Sequence, residues 1–426
     1  MKIKICCRLL TCGAVVLLLS VYFLSSAVYA ETNQNTFLPS LIKEALSSNS
    51  EIIYAKKAFE SANAHIPQAS GLNDPELGFE YDRITADRML TGDPMNILSF
   101  SQNIPFPTKL HLRAKIASKF ANMAYENYKL KELEIISRVK STYSELVFIY
   151  KSIELNKENK IILDNLSKTA TMRYGTAKGS QADALKAQVE LAKVDNALII
   201  LEQKRLTTQA KLNILLNRNL RDDIGVPSDE PPVKFNHTLD EFISMAKADN
   251  PELKVYQYAI ERGQSSYKLS YNEYLPDFSV KFKQMLSNNG SLESDEWSGM
   301  IGVTVPLWFF KKQAFGVKEM QSELEMLKAE YTGKENSILF EINDAYARAS
   351  ANEKLIKLYE TTFIPRAKET VNVSMKAYAS NKSDFLTVID SQRMLINFKL
   401  EYLNAILQFR TALSDIERLV GTEINF

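Results

Sequence analysis

Few side chains in this sequence have a type and spacing that could make or break bonds. The three histidines, His65, His111 and His237, are scattered along the chain. No HExxH pair, nucleophile elbow or phosphate-binding loop occurs. The stretch "GTAKGS" (Gly175–Ser180) has a phosphate loop's composition, but its lysine precedes the second glycine. All three cysteines, Cys6, Cys7 and Cys12, fall near the N-terminus. Clustered histidines and cysteines are what a zinc site needs, so neither a metal nor any other cofactor is expected, and no enzymatic activity.

The cysteines share their segment with a targeting pattern. Lys2, Lys4 and Arg8 precede an apolar run, Ala14 to Leu24, which ends in small residues at Val28 and Ala30. This reads as a secretory signal peptide over residues 1–30. Cys12 precedes the apolar run instead of following it, which counts against lipid attachment. Without the leader, 49 basic residues face 51 acidic ones, a net charge of −2. No basic face for nucleic acid is implied, and no remaining stretch is apolar and long enough for a membrane helix.

The elements that follow come in two copies. "NSEI" at Asn49 returns as "NPEL" at Asn250, 201 residues on; Pro75 and Pro276, and Pro105 and Pro306, keep that spacing. Tyr174 and Tyr378, Gln188 and Gln392, and Leu216 and Val420 lie 204 apart, so a single three-residue step is expected between the groups. The first repeat spans 31–220, with strands at about 75–84 and 96–105, a long helix 107–173, a tip turn 174–181 and a return helix 182–219. A segment rich in prolines and acids, 221–238, connects it to the second repeat, 239–426. There the strands fall at about 277–286 and 297–306, the long helix at 309–377, the turn at 378–383 and the return helix at 384–421.

Thr108 to Tyr174 contains no Gly or Pro, so a helix on the order of 100 Å is expected. Ile136, Val139, Tyr143, Leu146, Tyr150 and Ile153 step by three and four, as in coiled coils. Gly316, Gly333 and Pro365 are expected to interrupt the second long helix. The strands alternate: Leu77, Phe79 and Tyr81 oppose Gly78, Glu80 and Asp82, and Phe278, Val280 and Phe282 oppose Ser279, Lys281 and Lys283. A half-buried soluble sheet would alternate in the same way. So would strands facing lipid outside and water inside, but four cannot close, and open edges are not tolerated in lipid. Several chains would then have to combine. Both hairpin tips, Thr85–Pro94 and Asn288–Glu296, are polar.

"SQNIPFPTKL", "RYGTAKGSQADALKAQVEL" and "AYASNKSDFLTVIDSQRMLINFKLEY", with the paired arrangement, resemble the outer-membrane efflux factors, the TolC-like channels. "DPEL" with "IPFPTKL" is most similar to the branch serving heavy-metal pumps of the CzcC/CusC kind. The resemblance implies a mainly α fold with internal duplication. It also implies a homotrimer with a 12-stranded transmembrane β-barrel, four strands per chain, continued by a 12-helix periplasmic tunnel. Its implied partners are outer-membrane lipid, a periplasmic membrane-fusion adaptor and an inner-membrane pump of the RND type. Its implied location is the outer membrane of a Gram-negative bacterium.

The resemblance also places functional residues. The adaptor would meet the tip turns: Arg173, Tyr174, Gly175, Lys178 and Gly179 in the first copy, Asn381, Lys382 and Ser383 in the second. Ala177 and Asn381 stand where the family carries glycine. Asn tolerates a left-handed backbone; at Ala177 the bend is expected to move to Gly175 or Gly179. Asp183, Tyr378 and Asp390 fall at the entrance, where acids repeated around a symmetry axis would favour cations. Asp183 equally suits a helix N-terminus. Ser383 replaces an arginine that locks the entrance in some relatives. Pro105, Pro107, Pro306 and Trp308 mark the seam between barrel and tunnel. Drug efflux, type I secretion, or a periplasmic coiled-coil adaptor remain alternatives at this level.

Overall fold

The computed structural model describes residues 37–82, 95–228, 235–287 and 296–424. The signal peptide, most of both hairpin tips and residues 229–234 of the connecting segment lie outside the described residues. The first repeat runs α1 (Leu38–Ser48), α2 (Ser50–Ser70), β1 (Glu76–Asp82), β2 (Met95–Ile104), α3 (Pro107–Gly175) and α4 (Gln181–Leu215). The second runs α5 (Leu239–Asp249), α6 (Pro251–Asn272), β3 (Asp277–Ser287), β4 (Glu296–Thr304), α7 (Lys312–Leu358), α8 (Ile364–Ala379) and α9 (Phe385–Val420).

The duplication extends to single hydrogen bonds. Asn49 caps α2 by accepting from Glu51 and Ile52 N–H, and its amide donates to the Leu215 carbonyl at 2.9 Å. Asn250 caps α6 by accepting from Leu253 N–H and donates to the Leu419 carbonyl at 2.6 Å. Each buried asparagine thus ties the start of one helix to the end of its repeat's return helix. Around them, Leu41, Ile52, Val139, Leu212 and Leu215 form one core, and Phe242, Leu253, Ile342, Ile416 and Leu419 form its counterpart.

These cores correct the expected single step of three residues. Ile135, Val139 and Tyr143 correspond to Ile338, Ile342 and Tyr346, a spacing of 203. Two residues are therefore inserted before α7, in the turn Leu307–Lys311. The third is inserted in a π-helical turn, Tyr359–Phe363. That turn also explains Pro365, which starts α8 instead of breaking the helix. A π-turn loosens the hydrogen-bond ladder where proline offers no N–H. Gly316 and Gly333 do not interrupt α7, which runs through both. Glycine costs only about 1 kcal/mol in a helix interior, which packing along so long an element overrides.

On the 69-residue α3, the innermost stripe is Ile135, Val139, Tyr143, Leu146 and Ile149, all at most 1 % exposed. Ile136 and Tyr150 lie one position aside and are half-buried. Stacked beyond these cores, α2, α3, α6 and α7 stand side by side in that order. They continue the strands, which pair antiparallel in the order β1-β2-β3-β4.

Candidate functional site

The sheet register aligns the alternation of all four strands. Leu77 pairs with Phe100 and Phe79 with Leu98; Phe100 pairs with Phe282 and Ile104 with Phe278; Phe278 pairs with Val303 and Val280 with Ile301. Paired residues share a face, so these side chains and Trp297 form one largely apolar surface, with Asn96, Gln102 and Gln284 as its polar members. It is open to the surroundings: Leu77 is 80 % exposed, Ile301 79 % and Trp297 73 %. A patch of this kind on a soluble monomer would be an aggregation hazard. The other face is mainly polar, with Glu80, Ser99, Ser101, Ser279, Lys281, Lys283, Ser298 and Thr304, and it also carries Ile97, Met285 and Met300. Both edge strands, β1 and β4, have one unpaired side. Apolar outside, polar inside and open at both edges is the geometry of a barrel segment that lacks its neighbours.

The seams turn strand into helix without a loop. Pro105 follows the last β2 residue and is buried, and Pro107 opens α3 with Phe106 as its N-cap. A missing N–H costs little at that first helical position. What fastens this joint to the second repeat follows no local sequence pattern. Lys109, with its side chain 2 % exposed, donates to Asp277 at 2.9 Å and to the Leu275 carbonyl at 3.0 Å, with Glu273 at 3.6 Å. Asp277 also accepts the Phe106 N–H at 3.0 Å. At the second seam, Pro306 follows β4, and Trp308 lies in the turn before α7, its carbonyl accepting from Lys311 and Lys312 N–H. Trp308, Phe309 and Phe310 are all more than half exposed and meet edge to face. Rings in such a position suit a membrane–water interface.

At the opposite end, both tip turns have the same backbone. Lys178 N–H donates to the Arg173 carbonyl and Lys382 N–H to the Ala377 carbonyl, both at 2.8 Å. This six-to-one bond is the Schellman closure of a helix end, which needs one left-handed residue. Asn381 supplies it in the second copy, at φ 58°. In the first copy Ala177 itself takes φ 57°, and the bend does not move to Gly175 or Gly179. The reason is that the closure fixes which position turns left-handed, whatever residue stands there.

Arg173 joins the two tips. Its guanidinium donates to the carbonyls of Tyr378 and Ala379 and to Asn381 Oδ1, at 2.9, 3.3 and 2.8 Å. It also lies 4.3 Å over the Tyr378 ring. An arginine of the first repeat therefore satisfies the last carbonyls of α8, where the helix dipole favours a cation. Tyr378 is buried with Phe385, Val388, Leu166 and Ala187 in a core shared by both hairpins. Tyr174, Gly175, Lys178 and Lys382 are exposed around this joint, and Gly179 and Ser383 are half-buried. Asp183 sits in the first turn of α4, which Ser180 caps, and is half-buried.

Asp390 is exposed and engaged by Arg393 at 3.0 Å. Arg393 also reaches Glu190 of the first repeat at 3.0 Å, and Lys193 meets Glu190 at 2.7 Å. Neither Glu190 nor Arg393 stood out in the sequence, although the spacing Asp390–Arg393 is that of a helical ion pair. Burial works to raise the Glu190 carboxyl, but hydrogen bonds from Lys193 and Arg393, with their charges, outweigh it and hold it low. Deeper between the hairpins, Gln392 donates to Asn159 at 3.0 Å, both side chains buried. Among the described residues no three His, Cys, Asp or Glu side chains are grouped to hold a metal.

A barrel segment continued by a palisade of very long helices defines a channel wall, with no catalytic constellation among the described residues. The sequence pattern of the outer membrane efflux protein family matches residues 41–218 and 242–422, and the chain belongs to that family. It is similar to the cobalt-zinc-cadmium resistance protein CzcC of Cupriavidus metallidurans, at 21 % identity over 90 % of each chain. Its fold is similar to that of CusC, with a TM-score of 0.79 at 14 % identity over 93 % of this chain and 96 % of the other. The outer membrane protein VceC of Vibrio cholerae gives 0.78 at 15 % identity, over 90 % and 96 %. The protein is an outer-membrane efflux channel with a helical periplasmic tunnel.

Proposed function

We propose that three copies close into a 12-stranded barrel and a 12-helix tunnel, forming the passive exit duct of a tripartite heavy-metal efflux system. Cargo cations would come from an RND-type inner-membrane pump through a periplasmic membrane-fusion adaptor. The single apolar face in register across all four strands, with both edges unpaired, carries the channel part of this reading. Support for metal as cargo comes from the likeness to a cobalt-zinc-cadmium resistance protein along 90 % of the chain. A duct needs no tight metal site, since conduction requires weak binding. The adaptor would meet the exposed tips around Arg173, Tyr174, Lys178, Asn381 and Lys382. Asp183, Tyr378 and Asp390 would form the entrance above them, with the Arg393–Glu190 link serving in place of the absent Ser383 arginine.

Deleting the gene and measuring tolerance to cobalt, zinc, cadmium, copper, silver, dyes and detergents tests the cargo. Lowered metal tolerance with unchanged dye and detergent tolerance supports the proposal. The reverse pattern assigns the duct to drug efflux and refutes metal service.

A further inference from the structure

Where the first repeat meets the second, β2 pairs with β3 and α3 packs on α6. Lys109, Asp277, the Leu275 carbonyl and the Phe106 N–H fasten that joint at the seam. The chain's two outer edges, β1 and β4, each keep one unpaired side. Because the repeats match, these edges carry the same positions a second time, with one half of the joint on each edge.

At the 201-residue spacing, Asp277 corresponds to Glu76 and Phe106 to Leu307. Both acids lie on the polar face of the sheet. The 203-residue spacing of α3 and α7 carries Lys109 to Lys312, the first residue of α7. That spacing preserves ion pairs elsewhere: Lys131–Glu51 at 3.2 Å recurs as Lys334–Glu252 at 2.7 Å. A lysine thus stands again at the cation position and a carboxylate at the acid position, but unjoined. The Lys109 side chain is 2 % exposed, whereas Lys312 and Glu76 are both exposed. Among the described residues neither makes an ion pair, and Glu76 accepts only the Ser101 hydroxyl, at 3.3 Å. Farther along the α3–α6 joint the charges are not repeated. Lys119 meets Glu261 at 2.5 Å, but their counterparts are Ser322 and Glu60, and Lys57 of the same helix already bonds Glu60.

From this correspondence we infer that Lys312 of one copy forms an ion pair with Glu76 of the next copy. The Leu307 N–H is the second donor to that carboxylate, as the Phe106 N–H is to Asp277. Each seam between copies is then clasped as the seam within the chain is, and one contact joins the first turn of α7 to the first residue of the neighbour's β1. An ion pair enclosed in this way is screened less by salt than an exposed one. This pairing rests on the ring of three copies and supplies its recognition: it names the side chains by which one copy selects another in register.

Charge reversal in the full-length protein tests it, with the three-chain fraction in mild detergent followed by light scattering as temperature rises. Lys312→Glu and Glu76→Lys should each lower the temperature at which the three-chain species dissociates. Lys312→Glu/Glu76→Lys should recover most of that shift, because the pair is rebuilt with its signs exchanged. Lys311→Glu is the control. Its counterpart Thr108 bonds Asn272, whose match is Gly71, so no side chain awaits it and dissociation should not change. Additive losses in the double variant, wild-type behaviour in both single variants, or an equal loss in Lys311→Glu would refute the ion pair and leave the ring standing. A wild-type protein that stays a single chain at every temperature refutes the ring, and the ion pair with it.

Discussion

Replacing Lys109 by Met tests whether the first seam is held by the buried charge that joins the two repeats. Methionine keeps most of the stem's packing and removes the ammonium. Two hydrogen bonds go with it, to Asp277 at 2.9 Å and to the Leu275 carbonyl at 3.0 Å. Each charge-assisted bond is worth about 1.5–3 kcal/mol when buried. Asp277 is 29 % exposed and keeps the Phe106 N–H, so its share falls at the low end. The expected cost is therefore about 3 kcal/mol, near the lower limit for breaking a buried pair.

Guanidinium unfolding of the detergent-solubilised protein would read this cost. Trp297 and Trp308, the chain's two tryptophans, lie in β4 and at the second seam and serve as reporters. Asp277→Asn in the Lys109→Met background should restore roughly half of the loss, because the carboxylate is then no longer left uncompensated. A Lys109→Met protein within about 0.5 kcal/mol of wild type would refute the reasoning, since that is the range of an ordinary surface substitution.

Arg393→Ala removes the cross-repeat link and should raise the fraction of time reconstituted channels spend open; unchanged open probability would dismiss the link as a gate. The same link should be pH-dependent. Glu190 is held below its ordinary value of 4.5, so its contribution is complete above that pH and lost as pH falls through the lowered value. Acidified wild type should then behave like Arg393→Ala at neutral pH, whereas Arg393→Ala itself changes little. Glu417 has the opposite sign: burial raises its carboxyl against the pull of Lys140. Its contribution is greatest in acid and declines as pH rises through the raised value, so Glu417→Gln should flatten that part of the stability profile. Ala177→Gly, at φ 57°, should stabilise the protein by about 0.5 kcal/mol, relief of left-handed strain less the added chain entropy. Thermal melting followed by circular dichroism checks it, and a destabilised variant would show that the turn is not strained.

Much of this architecture is legible in the residues because its signals are periodic and repeated. Alternation along β1 to β4, the Gly-free run of α3 and the asparagine caps at Asn49 and Asn250 each state a local rule. Val139, Tyr143 and Leu146 form the innermost stripe on α3 as expected, but its ends fall one position away, at Ile135 and Ile149, since neighbouring residues such as Ile135 and Ile136 are equally apolar and only packing chooses between them. The single three-residue step divided in two because a π-turn leaves no mark in composition beyond Pro365. At the tips, Ala177 follows the closure geometry and not its own preference. Least legible are the links Lys109–Asp277, Arg173–Tyr378 and Arg393–Glu190. Their partners lie 168, 205 and 203 residues apart, and no spacing rule reaches that far.

Closure of the barrel by neighbouring copies can be tested with one disulfide. Within the chain Gln102 pairs with Val280. Carried through the 201-residue repeat, that pair becomes Val303 of one copy against Phe79 of the next. The chain has no cysteine beyond Cys12, so Phe79→Cys/Val303→Cys places its only thiols at this joint once the leader is removed. Cβ atoms of directly opposed residues lie about 4.5–5.5 Å apart, close enough to bridge with small backbone adjustment. Oxidising the variant in outer membranes should give a covalent three-chain species on denaturing gels, reversed by reductant. Single chains alone, under conditions where both cysteines react with a maleimide, would contradict closure through β1 and β4.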